Sequence, residues 1–377
     1  MNTEAVKGFK DYLGEDAEKR EEIRKILVEA FESYGFEPAE TPVIEYEEFV
    51  KGNNENDEAV SDIFRLEDKG KRKLALRYEF TFQLKRLMNN KKMPYKRYQI
   101  GPVFRDEPIS ANRFRQFTQC DVDIIGSGVK EDAEILSLAK EILDKVEVKF
   151  TIYFNNRKLL NEILESEGIK KKVEVIKEID KLDKLSEKEV KENLKKYGAE
   201  KILEIIKKPK GFFERYNSYS EIKELEKYLK IYGVKAEFSP SLARGLSYYN
   251  GTIFEIKTQK IKETITAGGA YMFNGIQCVG ISFGLDRISL LSSLKDEKEK
   301  FLVVSLGKDK EVIKLVEKLR KDGKVVGIYY GKPTKALDYA NSYNFNKVIF
   351  VGEKEVKSKK FKIKDMKTGK ESLLKDI

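Results

Sequence analysis

No histidine occurs anywhere in the 377 residues. That absence removes Ser-His-Asp and Cys-His triads, histidine general bases and most zinc sites. Tryptophan is missing too, and two cysteines, Cys120 and Cys278, cannot build a disulfide framework. A reducing cytosol, and hence a cytoplasmic protein, is the expected setting. No apolar run approaches the length that spans a bilayer. Met1 to Lys10 lacks the apolar stretch of a secretory signal. Any catalysis must therefore use carboxylates, lysine, tyrosine, arginine or a metal held by oxygen. Arginine with magnesium suits phosphoryl and nucleotidyl transfer, where positioning and charge stabilisation carry most of the barrier reduction.

Hydrophobic residues make up 40% and charged residues 37% of the chain, the balance of a globular protein with a densely charged surface. The length allows two or three domains with their own cores. Net charge is +10, and residues 301–377 carry 19 lysines and arginines against 10 aspartates and glutamates. Nearly all the excess thus sits in one C-terminal module, which points to a polyanionic partner for it. A generally lysine-rich proteome also explains the total, though it explains the asymmetry poorly.

From Asp16 to Tyr34, residues Ile23, Ile26, Leu27, Ala30, Phe31 and Tyr34 recur at helical spacing, with Gly35 as the stop. Between Lys73 and Gly126 the runs LALRYEFTF, YKRYQIGPVFRDE and RFRQFTQCDVDIIG predict antiparallel strands joined by loops. A helix is expected over 131–145. Residues 155–235, rich in Lys and Glu at helical periodicity, read as a helical insertion. Strand signals return at 247–258 and 277–283, and a helix follows from Asp286. A charged link near 293–300 precedes a βαβαβ pattern and a hairpin around Thr368-Gly369, which together predict a small α/β module.

Three stretches carry candidate chemistry. In Val103 to Gly126, Arg105 and Glu107 alternate on a predicted strand, and a loop from Pro108 to Asn112 turns back into Arg113-Phe114-Arg115. Two arginines converging across a hairpin can clamp phosphates; the spacing also fits a surface ion pair. In Ser241 to Glu255 (SLARGLSYYNGTIFE), Gly245 admits close backbone approach, Arg244 projects a charge, and Tyr248 and Tyr249 supply flat walls with polar tips. A strand edge with core aromatics is the alternative. In Gly280 to Leu291 (GISFGLDRISLL) a strand runs through Gly284 into a helix with Arg287 in its first turn, which either faces an anion or is an ordinary capped helix.

In order and spacing these stretches resemble motif 2, the histidine-specific string and motif 3 of histidyl-tRNA synthetases, a class II family, here of the archaeal and eukaryotic type. The resemblance covers almost the whole chain and is least specific in the insertion. It implies a class II α+β catalytic domain with an antiparallel sheet (1–154 and 236–295), the helical insertion (155–235), and a C-terminal α/β anticodon-binding domain (300–377). It implies ATP- and Mg2+-dependent activation of histidine, transfer to tRNA(His), and a homodimer built through Tyr34-Gly35-Phe36 to Pro42. By resemblance, Arg105 grips the ATP α-phosphate, Glu107, Arg113 and Arg287 place the nucleotide, and Arg244 assists adenylate formation. Glu79 takes the substrate ammonium, with Thr81 beside it. Gln119, Asp123, Tyr248, Tyr249 and Tyr271 line the histidine pocket. No protein side chain is implied as a metal ligand.

The departures from the family pattern are Ser247 for Asp in RGLDYY, Gly268-Gly269-Ala270-Tyr271-Met272 for GGRYD, and Thr118 where many relatives have His or Tyr. One arginine and two acids are thus missing, either as a compensated loss or as the mark of a paralogue such as a histidine-sensing regulatory subunit. The missing histidine fits an enzyme freed from dependence on its own product, and equally drift in a Lys- and Asn-rich chain.

Overall fold

The computed structural model describes residues 1–51, 62–244, 248–294 and 298–374. Contacts divide the chain into a unit Met1–Leu294 and a unit Lys295–Ile377. The strands of the first unit are β1 (Glu37–Pro38), β2 (Ile44–Tyr46), β3 (Arg65–Glu67), β4 (Lys73–Leu76), β5 (Tyr95–Phe104), β6 (Gln116–Ile125), β7 (Thr151–Asn156), β8 (Glu237–Phe238), β9 (Tyr249–Lys257), β10 (Thr266–Phe273) and β11 (Ile276–Gly284). Eight of them form one sheet in the order β1-β5-β6-β11-β10-β9-β7-β8, and β2-β4-β3 form a small separate sheet. The large sheet is antiparallel from β5 through β7, with parallel pairs only at its two edges.

Alternation along β6 separates the two faces of this sheet. Cys120, Val122 and Ile124 enter the hydrophobic core, while Gln119, Asp121 and Asp123 are buried polar residues on the other side. The core face is covered by helices Gly14–Ser33 and Val129–Lys145, whose Ile23, Leu27, Ala133, Leu136 and Ile142 are fully buried. Phe31 of the first helix lies 5.3 Å from the Tyr98 ring and 5.9 Å from Phe283, so it bridges two strands. Gly35 ends this region with φ +78, a conformation that glycine adopts without steric cost.

Two sequence expectations need correction. Of LALRYEFTF only the first residues are strand; the chain leaves the sheet at Arg77, whose guanidinium donates to the carbonyls of Thr41 (2.7 Å) and Pro102 (2.9 Å). Phe80 and Phe82 are buried by packing outside the sheet rather than by strand alternation. Conversely, β10 was not expected, because Gly268-Gly269 lack strand propensity. A Cβ at Gly268 would lie 2.0 Å from the Gly280 carbonyl oxygen, and one at Gly269 2.6 Å from that of Thr252. Glycine is needed there because the neighbouring backbones approach so closely.

Between β7 and β8 the chain forms helices Arg157–Ser166, Lys172–Asp180, Glu187–Lys195, Ile202–Ile205 and Tyr219–Ile231. Their apolar faces, among them Leu160, Ile163, Val190, Leu194 and Leu225, join the same core cluster as the large sheet.

The second unit holds β12 (Lys300–Ser305), β13 (Val325–Tyr330), β14 (Lys347–Val351), β15 (Lys362–Asp365) and β16 (Glu371–Leu373) in the order β13-β12-β14-β15-β16. β12 runs parallel to β13 and β14, and the last two strands are antiparallel, so the sheet is mixed. Helices Asp309–Lys321 and Pro333–Ser342 make the crossovers. Asp365 accepts from the Thr368 backbone N–H at 2.7 Å and closes the final turn. Among the described residues no helix is long and apolar enough to cross a membrane.

Candidate active site

β5 ends at Phe104, so Arg105 and Glu107 lie in the loop beyond it rather than alternating along a strand. The loop itself gathers the charges. Ser110 and Arg113 exchange backbone hydrogen bonds at 3.2 and 3.3 Å, which folds Arg113 back toward Glu107. One Glu107 oxygen lies 3.8 Å from Arg105 and the other 3.6 Å from Arg113. Arg105 is oriented by the Tyr78 carbonyl, which accepts from its Nε at 3.2 Å, and its Nη2 approaches Gln119 Oε1 at 3.5 Å.

Arg287 follows Gly284 in the helix Leu285–Leu291, and its Nη1 donates to the Thr264 carbonyl at 2.7 Å. Burial pulls its pKa down, and the fields of Arg113 and Arg105 pull further, against Glu263 and Glu107. Three guanidiniums thus share one electrostatic neighbourhood, an arrangement that favours a polyanion such as a nucleotide phosphate chain. A cavity of about 190 Å³ beside them includes Arg287, Asn112, Tyr12 and Asp286 in its lining, but no residue of the buried polar cluster described next.

On the polar face of β6, Asp123 sits between Arg97 Nη2 at 2.6 Å and the Tyr271 hydroxyl, which donates to Oδ1 at 2.5 Å. Arg97 is fully buried and directly opposite Asp123 in the β5–β6 ladder. The Tyr271 phenol is pushed well above its ordinary pKa by burial and by Asp123. Gln119 Nε2 donates to Ser282 Oγ at 2.6 Å and to Asp121 at 3.2 Å, which turns its carbonyl oxygen toward Arg105. Burial lifts Asp121 to about 7, against the field of Arg97. Tyr248 lies 4.7 Å from the Tyr249 ring and 5.8 Å, edge to face, from Tyr271. Its phenol is raised by burial, then by the fields of Tyr249 and Glu79. Thr81 lies two residues on, its carbonyl accepting from Leu84 N at 3.1 Å.

Arg244 precedes β9 and has φ +50. Its Nη1 donates to Glu255 Oε1 at 2.6 Å. Burial alone would lower its pKa, but Tyr249 and Glu255 outweigh this and raise it. Glu255 is held below the usual carboxylate range: burial opposes this, and Arg244 and Lys257 prevail.

Of the departures, Ser247 lies outside the described residues. Ala270 and Met272 flank Tyr271 on β10. Successive strand residues point to opposite faces, so these two turn away from the face where Tyr271 meets Asp123. Met272 is half exposed, consistent with that direction. Thr118 ties β6 to two helices: its N–H donates to Asp286 at 2.8 Å and its hydroxyl accepts from Arg20 at 3.2 Å.

Sequence reasoning missed Arg97, Asp121, Ser282 and Glu255. The Arg97–Asp123 pair was recoverable, since writing out the hairpin register places them opposite each other. On its other side Asp123 pairs with Gly280, where a Cβ would lie 2.3 Å from Asp123 Oδ1. Gly280→Ala is therefore expected to swing that carboxylate off Tyr271. With histidine as the ligand that the resemblance implies, its KM is expected to rise about tenfold or more, because misplacement on the ångström scale has large kinetic effects. Steady-state kinetics at varied histidine check this, and an unchanged KM would show that the carboxylate's position is unimportant.

Residues 8–288 match the family model described as histidyl-tRNA synthetase, and residues 300–375 match that of the anticodon binding domain. Histidine--tRNA ligase 2 of Shouchella clausii is 36% identical, over 97% of this chain and 96% of its own. Histidine--tRNA ligase of Methanocaldococcus jannaschii is also 36% identical, over 98% and 96%. The crystal structure of histidyl-tRNA synthetase from Nostoc sp. PCC 7120 superposes with a TM-score of 0.86 at 26% identity, over 99% of this chain and 97% of that one. An ATP phosphoribosyltransferase regulatory subunit/histidyl-tRNA synthetase from Bacillus halodurans shares the fold, with a TM-score of 0.78 at 20% identity over 92% and 98%. With an arginine cluster, a buried carboxylate pocket and both family models matched along nearly its full length, the chain belongs to the histidyl-tRNA synthetase family.

Proposed function

We propose that this protein is a histidine–tRNA ligase, which activates histidine with ATP and transfers it to the 3′ end of tRNA(His). The observation that carries this reading is the juxtaposition, through Gln119, of two sites on one sheet face. Arg105 of the phosphate cluster approaches the oxygen of Gln119, and the amide of Gln119 lies beside Asp121, in the row that continues to Asp123.

Histidine binds with its ammonium at Glu79, near Thr81. Its imidazole lies against Gln119 and Asp123, walled by Tyr248, Tyr249 and Tyr271. A buried carboxylate facing an imidazole N–H selects against apolar amino acids, which would leave the acid without that partner. Arg105, Glu107, Arg113 and Arg287 hold the triphosphate, and magnesium enters as part of that substrate. The histidine carboxylate attacks the α-phosphorus in line, the bond to the bridging oxygen breaks, and pyrophosphate departs. Arg244 and Arg105 stabilise the charge that builds on the α-phosphoryl oxygens.

In the second step the terminal ribose hydroxyl of the tRNA attacks the adenylate carbonyl and AMP leaves. The chain contains no histidine to act as base. The hydroxyl proton goes to a phosphate oxygen of the departing AMP. The catalytic body comprises 1–154 and 236–295, interrupted by the 155–235 insertion. The basic 300–377 module contacts the tRNA, and the working form is a cytoplasmic homodimer.

Histidine-dependent ATP–pyrophosphate exchange by the purified protein tests the reading. Exchange with histidine and with no other amino acid is the expected result. Folded protein that binds histidine or tRNA without any exchange would instead identify a non-catalytic sensor or regulatory paralogue.

A further inference from the structure

Arg244 is a non-glycine residue in left-handed backbone, at φ +50. That conformation is strained for a residue with a Cβ and persists only where surrounding structure imposes it. Two sets of contacts impose it here, and both involve the helical segment 157–231 or its junction with the sheet.

The first set holds the backbone. Asn155, near the end of β7, donates through Nδ2 to the carbonyls of Pro240 at 3.1 Å and Leu242 at 2.8 Å. Arg157, the first residue of its helix, donates through Nη1 to the carbonyls of Ala243 and Arg244, both at 3.0 Å. Both side chains are buried, at 1% and 3% exposure. Burial draws the Arg157 pKa down to about 10. Burying a guanidinium against neutral carbonyls is expensive. What it secures is geometry, because two hydrogens on one nitrogen fork onto two consecutive peptide oxygens.

The second set holds the side chain. Glu255 accepts from Arg244 at 2.6 Å on one oxygen, and on the other from Lys257 at 3.0 Å and Thr264 at 3.2 Å. Lys257 also reaches Asp183 at 2.8 Å, in the short turn Lys181–Asp183 that follows helix Lys172–Asp180. A chain of charges, Asp183–Lys257–Glu255–Arg244, therefore runs from the surface of the helical segment into the site.

We propose that Asn155, Arg157 and the Asp183–Lys257 pair are positioning residues for Arg244, so that the helical segment is part of the machinery for adenylate formation. This rests on the role given to Arg244 above. A displacement of the segment reaches Arg244 through its backbone and its side chain together.

Asp183 and Lys257 lie toward the surface, so Asp183→Asn and Lys257→Met are compatible with folding, which thermal melts verify. In pyrophosphate exchange each is expected to lower kcat about ten- to a hundredfold, the scale of a small misplacement. KM for ATP and for histidine should stay within about twofold, because the arginine acts on the transition state. Lys257→Arg, which keeps both ion pairs, should restore most of the rate. Arg157→Lys should show the same kcat loss; if it fails to fold, the two surface variants decide.

Wild-type kcat in both Asp183→Asn and Lys257→Met, alongside loss of exchange in Arg244→Ala, would overturn the positioning role and leave the reading of Arg244 intact. Full exchange by Arg244→Ala would instead remove the reading on which the proposal rests.

Discussion

Arg244→Ala is expected to slow histidyl-adenylate formation by about 10²–10³-fold while ATP binds nearly as before. Arg244 is held at 2.6 Å from Glu255, and its Nε is buried with no hydrogen-bond partner among the described residues. A donor fixed in this way reorganises little as charge develops on the α-phosphoryl group, which is why its loss appears in the chemical step. In the proposed mechanism ground-state nucleotide binding falls to Arg105, Arg113 and Arg287, which the substitution leaves in place. Glu255 is not orphaned either, since Lys257 and Thr264 still donate to it, so the variant should fold. Single-turnover adenylate formation, with ATP affinity measured separately, provides the check. Equal losses in both quantities would remove Arg244 from the transition state and make it a simple nucleotide ligand.

The second large effect is expected at Asp123. Its partner Arg97 is fully buried, with Nε and Nη1 unpartnered among the described residues. Removing the carboxylate takes away the ion-pair partner of that buried guanidinium, a change that destabilises by roughly 3–5 kcal/mol. Asp123→Ala should therefore melt well below the parent. Asp123→Asn separates stability from specificity, because the amide oxygen can still accept from Arg97 or Tyr271. It lacks the charge and acceptor capacity that a third partner, the imidazole N–H, requires. A hydrogen bond to a charged group contributes about 1.5–3 kcal/mol, so kcat/KM for histidine should fall about 10- to 100-fold while KM for ATP holds. Unchanged histidine kinetics in a folded Asp123→Asn protein would place the imidazole elsewhere.

Charge-bearing strings were the easiest part of this protein to read. Arg105, Glu107, Arg113 and Arg287 stand in two short stretches, and the structure gathers all four in one electrostatic neighbourhood. Helices with a clear apolar period, such as Val129–Lys145, were legible because a single face must be buried. The Gly-rich strand β10 was not, because its residues are chosen for close approach to Gly280 and Thr252 on neighbouring strands, which local propensity does not register. Arg97 was passed over for a related reason. Nothing local marks Arg97, next to Lys96, as buried until the hairpin register sets it opposite Asp123 in the interior.

From the sequence alone came a restriction and a resemblance. Without histidine, catalysis falls to carboxylates, lysine, tyrosine, arginine or an oxygen-held metal, and the reaction class follows only from the likeness of three strings, in order, to a known family. Tertiary structure alone decided how each charge is aimed. Asp123 is set by strands on either side of it, Gln119 by Ser282 on β11, and Arg244 by Asn155, Arg157 and Glu255 from two separate places in the chain. Hydrogen bonds and ion pairs act over a few ångströms in space. Which groups come that close depends on strand order and register, and no local window of sequence contains either.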